Sequence, residues 1–113
     1  GLELFPTYSF SRVYTSAQNI SYIAAGAANT WMAIDTARNV YLSTNNATSW
    51  STTTSIPGSD TPTSLAYYDG DWMVTTDGTA DNIVKSTNNG TSWAAVASTG
   101  VAMNAIAVNI ILP

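Results

Sequence analysis

Ser43-Thr44-Asn45-Asn46-Ala47-Thr48-Ser49-Trp50 returns almost unchanged as Ser86-Thr87-Asn88-Asn89-Gly90-Thr91-Ser92-Trp93, beginning 43 residues later. Only the fifth place differs, Ala47 against Gly90. A second copy of a structural unit is the simplest origin of such self-similarity, and it constrains the fold before any residue propensity is consulted.

The agreement extends outward from the octets. Trp31-Met32 precedes the first and Trp72-Met73 the second, and a short apolar stretch precedes each pair: Tyr22-Ile23-Ala24-Ala25 and Leu65-Ala66-Tyr67-Tyr68. Each stretch is parted from its Trp by a turn of Gly, Asn or Asp. Asp69-Gly70 is a strong hairpin signal, because both central residues of a type I′ turn need positive φ. Strands are expected near 10–15, 20–26, 31–35, 39–43, 50–54, 63–68, 72–76, 82–86, 93–97 and 103–111. These segments are rich in Thr, Val, Ile, Tyr and Trp and are divided by Gly, Pro, Asn and Asp. No window carries a capped 3.6-residue apolar period, so helix content is expected near zero. Pro57-Gly58 and Pro62 place the longest connector between the two repeats.

The chain ends read as partial copies. Phe10 stands 13 positions before Ile23, as Trp93 stands before Ile106, and Asn104-Ala105-Ile106-Ala107-Val108 reads as the first strand of a third unit. The expected organisation is an N-terminal tail over 1–9 and a repeat domain over 10–113. Its units lie near 20–54 and 63–97, with a partial unit over 101–113. The chain opens on Gly1 rather than Met, as expected of a processed chain or a segment of a longer one.

The octet resembles the Asp-box of the BNR, or sialidase-like, propeller repeats, with the pattern Ser-x-Asp-x-Gly-x-x-Trp. The 43-residue period also suits one four-stranded propeller blade of roughly 40–50 residues. The resemblance implies an all-β fold of antiparallel β-propeller-like blades, two full and partial ones at both ends. It implies a structural role for Ser43, Asn45, Trp50, Ser86, Asn88, Gly90 and Trp93. The octet would turn between the third and fourth strands of a blade. Its first side chain and its Asp would bond loop backbone, and its Trp would pack into the apolar layer. Asn45 and Asn88 stand where the family prefers Asp; an amide oxygen accepts the same kind of bond without charge. If the fifth place needs positive φ, Ala47 is strained or its loop differs.

Composition narrows the chemistry. Charged residues are 9% of the chain, against a usual value of about 25%. The polar surface is built instead from 13 Ser, 17 Thr and 10 Asn. A net charge of −4, with only Arg12, Arg38 and Lys85 as cations, leaves no basic cluster for phosphates, so nucleic acid is not an expected partner. Without cysteine or histidine, zinc sites and nucleophilic triads in their usual forms are excluded. No apolar run approaches the roughly 20 residues of a membrane helix. No cofactor is expected.

A sialidase site needs an arginine triad, an acidic acid/base and a Tyr–Glu nucleophile pair. This chain holds two arginines and one glutamate, Glu3. Asp69, Asp71 and Asp77 flank glycines and read as turn chemistry rather than calcium ligands. Trp31, Trp72, Tyr67 and Tyr68 are the candidate glycan contacts, since flat rings stack on sugars; their matching repeat positions favour packing between units. Asn19, Asn46 and Asn89 begin glycosylation sequons.

The leading expectation is a non-catalytic structural or interaction module of a virion or other extracellular assembly, because similar repeats occur in phage structural and tail proteins. Its expected partners are identical copies or other subunits. A glycan-binding adhesion module and a fragment of a sialidase-like hydrolase are the alternatives. About 2.6 units of 43 residues are too few to close a ring that needs about four blades.

Overall fold

The computed structural model describes residues 11–106, and eight strands lie among the described residues. They are β1 (Ile20–Ala25), β2 (Trp31–Asp35), β3 (Val40–Ser43), β4 (Ser51–Thr52), β5 (Pro62–Tyr68), β6 (Asp71–Thr76), β7 (Ile83–Ser86) and β8 (Ala94–Ala97). β1 to β4 form one four-stranded sheet in sequence order and β5 to β8 a second, with every pairing antiparallel. Among the described residues there is no helix, and none therefore long and apolar enough to cross a membrane. The fold is all-β, as expected.

The sheets repeat each other in detail. Trp31 faces Ser43 across β2–β3, and Trp72 faces Ser86 across β6–β7. The register of the first strand slips between Ile20 and Tyr22, and in the second sheet between Pro62 and Ser64. Asp69 and Gly70 turn the β5–β6 hairpin with φ of 50° and 92°, the positive values their sequence demanded.

Period-two alternation assigns the faces. One face of the first sheet carries Met32, Ile34 and Val40, with Ala24 and Leu42 beside them. It meets the face of the second sheet that carries Trp72, Val74 and Val84, with Leu65 and Tyr67. Ile56, on the connector after β4, inserts into the same cluster at 2% exposure. The core is therefore the seam between the sheets. Gly26 lies on that seam: a Cβ there would come within 2.6 Å of the Trp72 ring, so only glycine fits against the indole.

Two expectations are corrected by the described residues. Residues 11–15 and 103–106 form no strand, although strands were expected over 10–15 and 103–111; the remainder of both ranges, the 1–9 tail and most of the 101–113 partial unit lie outside the described residues. The first of these segments runs across the outer face of the first sheet, with the Tyr14 and Tyr41 rings 5.6 Å apart. The second is held by Met103, whose amide donates to the Thr76 carbonyl at 3.2 Å.

Candidate functional site: the two octet turns and their aromatic partners

The octets connect β3 to β4 and β7 to β8, and their internal hydrogen bonds are the same. The Ser43 hydroxyl donates to Asn45 Oδ1 at 2.9 Å, as Ser86 donates to Asn88 Oδ1 at 2.9 Å. The amide of Ala47 donates to Ser43 Oγ at 2.9 Å, and that of Gly90 to Ser86 Oγ at 2.8 Å. Asn45 Oδ1 accepts from the Ser49 amide, and Asn88 Oδ1 from the Ser92 amide, both at 2.9 Å. Asn45 Nδ2 donates to Ser49 Oγ at 2.7 Å and Asn88 Nδ2 to Ser92 Oγ at 2.8 Å. Short acceptors thus satisfy turn amides that no ladder reaches. The Asn supplies a donor as well, which a carboxylate would lack.

Asn46 and Asn89, unassigned in the sequence reading beyond their sequons, take a definite part. Trp31 Nε1 donates to Asn46 Oδ1 at 3.1 Å, and Trp72 Nε1 donates to Asn89 Oδ1 at 2.9 Å. Each octet is thereby fastened to the tryptophan at the beginning of its own sheet's second strand, the first residue of β2 and the second of β6. The signal was present as a Trp-Met pair recurring with each octet.

The fifth place has positive φ in both copies, 66° at Ala47 and 85° at Gly90. The first loop therefore keeps its geometry and Ala47 carries the strain. Surroundings account for the difference: a Cβ on Gly90 would lie 2.8 Å from Thr53 Oγ1 and 3.3 Å from Met32 Cε. Gly90 is buried against the first sheet, whereas Ala47 is half-buried.

The octet tryptophans were expected to be buried in the apolar layer; both are half-buried instead. As the last residue of a turn, each sits at the border of its sheet rather than within it. Trp93 packs on the seam cluster and donates Nε1 to the Thr54 carbonyl at 3.1 Å. Trp50 lines an open groove on the outer face of the first sheet.

The four aromatics singled out for glycans do not form two equivalent pockets. Trp72 is 0% exposed, with Tyr67 tilted against it at 4.7 Å between ring centroids, and the Tyr67 hydroxyl accepts from the Gly70 amide. Tyr68 is 53% exposed at the β5–β6 hairpin, and Trp31 is half-buried.

A second polar centre lies under the β2–β3 turn. The Asp35 carboxylate is fully buried, and it accepts from the amides of Ala37 and Asn39, from Asn39 Nδ2 at 2.9 Å and from the Tyr41 hydroxyl at 2.8 Å. Burial pushes the carboxyl up, but the bonds from Asn39, Tyr41 and the two amides outweigh it, so Asp35 sits below the ordinary carboxylate range. Burial, and then the Asp35 carboxylate, push the Tyr41 phenol up. Four donors on one carboxylate describe a structural anchor. In the second sheet the residue in that place is Thr76, and Asn82, the counterpart of Asn39, instead holds Thr99 and Val101.

The cations stay apart. Lys85 pairs with Asp71 at 3.8 Å on the outer face of the second sheet, where both side chains are partly exposed and the pair contributes little. Arg12 lines a shallow opening with Thr15 to Ile20, whereas Arg38 lies in the β2–β3 turn. Among the described residues no three of His, Cys, Asp or Glu are grouped to hold a metal.

No family model, no curated protein and no solved structure matches this chain.

Proposed function

We propose that the chain is a non-catalytic structural module of an assembly, a virion or another extracellular one, built from Asp-box propeller-type repeats. The carrying observation is the use made of the octets. In both copies the Ser hydroxyl and the Asn amide at its first and third places are engaged within the loop, and the neighbouring Asn secures a tryptophan. A recurring motif whose polar groups are engaged internally serves to build copies of a unit, and units of this kind bury their faces on neighbours. The resemblance to repeats of phage structural and tail proteins supports the choice of assembly. A neutral surface of hydroxyls and amides suits contacts made by packing and uncharged hydrogen bonds.

The test is the mass of the native particle, together with turnover of a fluorogenic sialoside by the pure protein. Recovery in a particle several times heavier than the 11.9 kDa chain, without turnover, is the expected result. A native monomer, or hydrolysis abolished by substituting a residue of this chain, overturns the reading.

A further inference from the structure

The second sheet shows what covers its Trp72 face, and the first sheet presents the same face only partly covered. Register equates Leu65, Val74 and Val84 with Ile23, Ala33 and Tyr41, as it equates Trp72 with Trp31. Ile56 stands nine residues before Leu65, and Tyr14 nine before Ile23. In the second sheet Trp72, Val74, Val84 and Ile56 are at most 2% exposed, because the first sheet lies over them. In the first sheet the Tyr14 segment occupies the connector's seat over Ala33 and Tyr41, which are 5% and 2% exposed, and among the described residues no second sheet lies above it. Ile23 is 57% exposed, Val13 56% and Tyr14 39%. These three, with Ile20, Tyr41 and Trp50, line an open groove of about 150 Å³.

The covering face also has its counterpart. Sheet one uses Ala24, Met32, Ile34 and Val40 to cover sheet two. The outer face of sheet two carries Ala66, Met73 and Ile83 in the places of Ala24, Met32 and Val40, with Lys85 where Leu42 stands and the buried Thr75, bonded to Thr63 and Ser64, where Ile34 stands. The long apolar stem of Lys85 can pack while its ammonium stays with Asp71 at the rim.

We propose that a second copy of this chain lays the outer face of its second sheet on the outer face of the first sheet, repeating between chains the packing seen within one. The proposal rests on the structural-module reading and supplies its partner. The contact is heterologous, so it propagates head to tail and gives a ring if the rotation closes. Met73 of the arriving sheet takes the place over the groove that Met32 takes over Trp72 and Gly90.

Complementation of two variants is the direct test. Ile23→Glu, with Val13→Glu as a second choice, spoils the receiving face; Met73→Glu, or Ala94→Glu at the exposed β8, spoils the arriving face. Far-ultraviolet circular dichroism and a cooperative urea transition verify that each variant is folded. In sedimentation equilibrium the wild-type mass is expected to rise above 11.9 kDa with concentration. Each variant alone should dissociate about tenfold or more readily, as for a charge placed in an interface core. An equimolar mixture of a receiving-face and an arriving-face variant should give a dimer that grows no further, since one good interface survives. A wild type that stays monomeric at high micromolar concentration overturns the proposal; if it is nonetheless recovered in a large native particle with other subunits, the structural-module reading stands alone. Loss of association in Ile23→Glu but in neither Met73→Glu nor Ala94→Glu overturns it too, in favour of two first sheets meeting about a twofold axis.

Discussion

Trp93 Nε1 donates to the carbonyl of Thr54, 39 residues earlier, and this bond ties the second octet to the connector that leaves the first sheet. Trp93→Phe keeps most of the ring and deletes the donor. A loss of about 0.5–1.5 kcal/mol is expected, the usual net worth of one such bond. Urea unfolding of the variant checks it, and an unchanged midpoint would remove the bond from any account of the seam.

Ala47 and Gly90 predict opposite outcomes at one motif position. Ala47→Gly relieves positive φ at a half-buried turn position and should stabilise by up to about 1 kcal/mol, after the entropy glycine adds to the unfolded chain. Gly90→Ala adds strain and drives a methyl toward Thr53 and Met32; a loss of about 1–3 kcal/mol is expected. Equal effects of the two substitutions in chemical denaturation would refute the account of the fifth place.

Trp72 and Trp31 share a position but differ in cover. Truncation of the fully buried Trp72 to alanine is expected to cost about 3–5 kcal/mol. Trp31→Ala, measured on dilute protein, should cost less than half of that, because much of its ring is already in water. Thermal or urea unfolding of both variants decides the matter.

Asp35 sets an acid limit. Its folded-state pKa is depressed, so its contribution is fully present above the unfolded carboxylate value of about 3.9 and is lost as pH falls through the lower folded value. Stability of the wild type should therefore fall more steeply below about pH 4 than that of Asp35→Asn, which has no charge to lose. Parallel urea midpoints between pH 7 and pH 2.5 test this, and parallel curves for the two proteins would contradict it.

The octets, the two Trp-Met pairs and Asp69-Gly70 made both sheets legible in sequence, because turn chemistry and period-two patterning are local. What stayed hidden depends on neighbours in space. Nothing in the chain near Trp50 or Trp93 says that a turn's last residue sits at a sheet border, half in water. The segment 11–15 carries Val, Tyr and Thr as a strand would, but it lies across a sheet face and pairs with none. Residues 103–106 likewise serve as a strap, through Met103, rather than as a ladder. The Asp35 anchor was missed because its donors, Ala37, Asn39 and Tyr41, converge only once the β2–β3 turn is formed.

The sequential strand order has a kinetic consequence. Every ladder joins strands adjacent in the chain, so each sheet can zip up from short loops at little closure entropy, and either can form first. Distant residues meet at the seam, as Thr54 and Trp93 do, and at the strap, where the Thr63 hydroxyl donates to the Met103 carbonyl. We infer that the sheets form before the rate-limiting barrier and dock after it. Seam substitutions outside both sheets, such as Ile56→Ala, should then leave the refolding rate within about twofold while hastening unfolding, and stopped-flow chevrons with a slowed folding arm would reverse that order. A chain built this way reaches two half-finished sheets quickly, and its lifetime in the folded state is governed by the one surface where they meet.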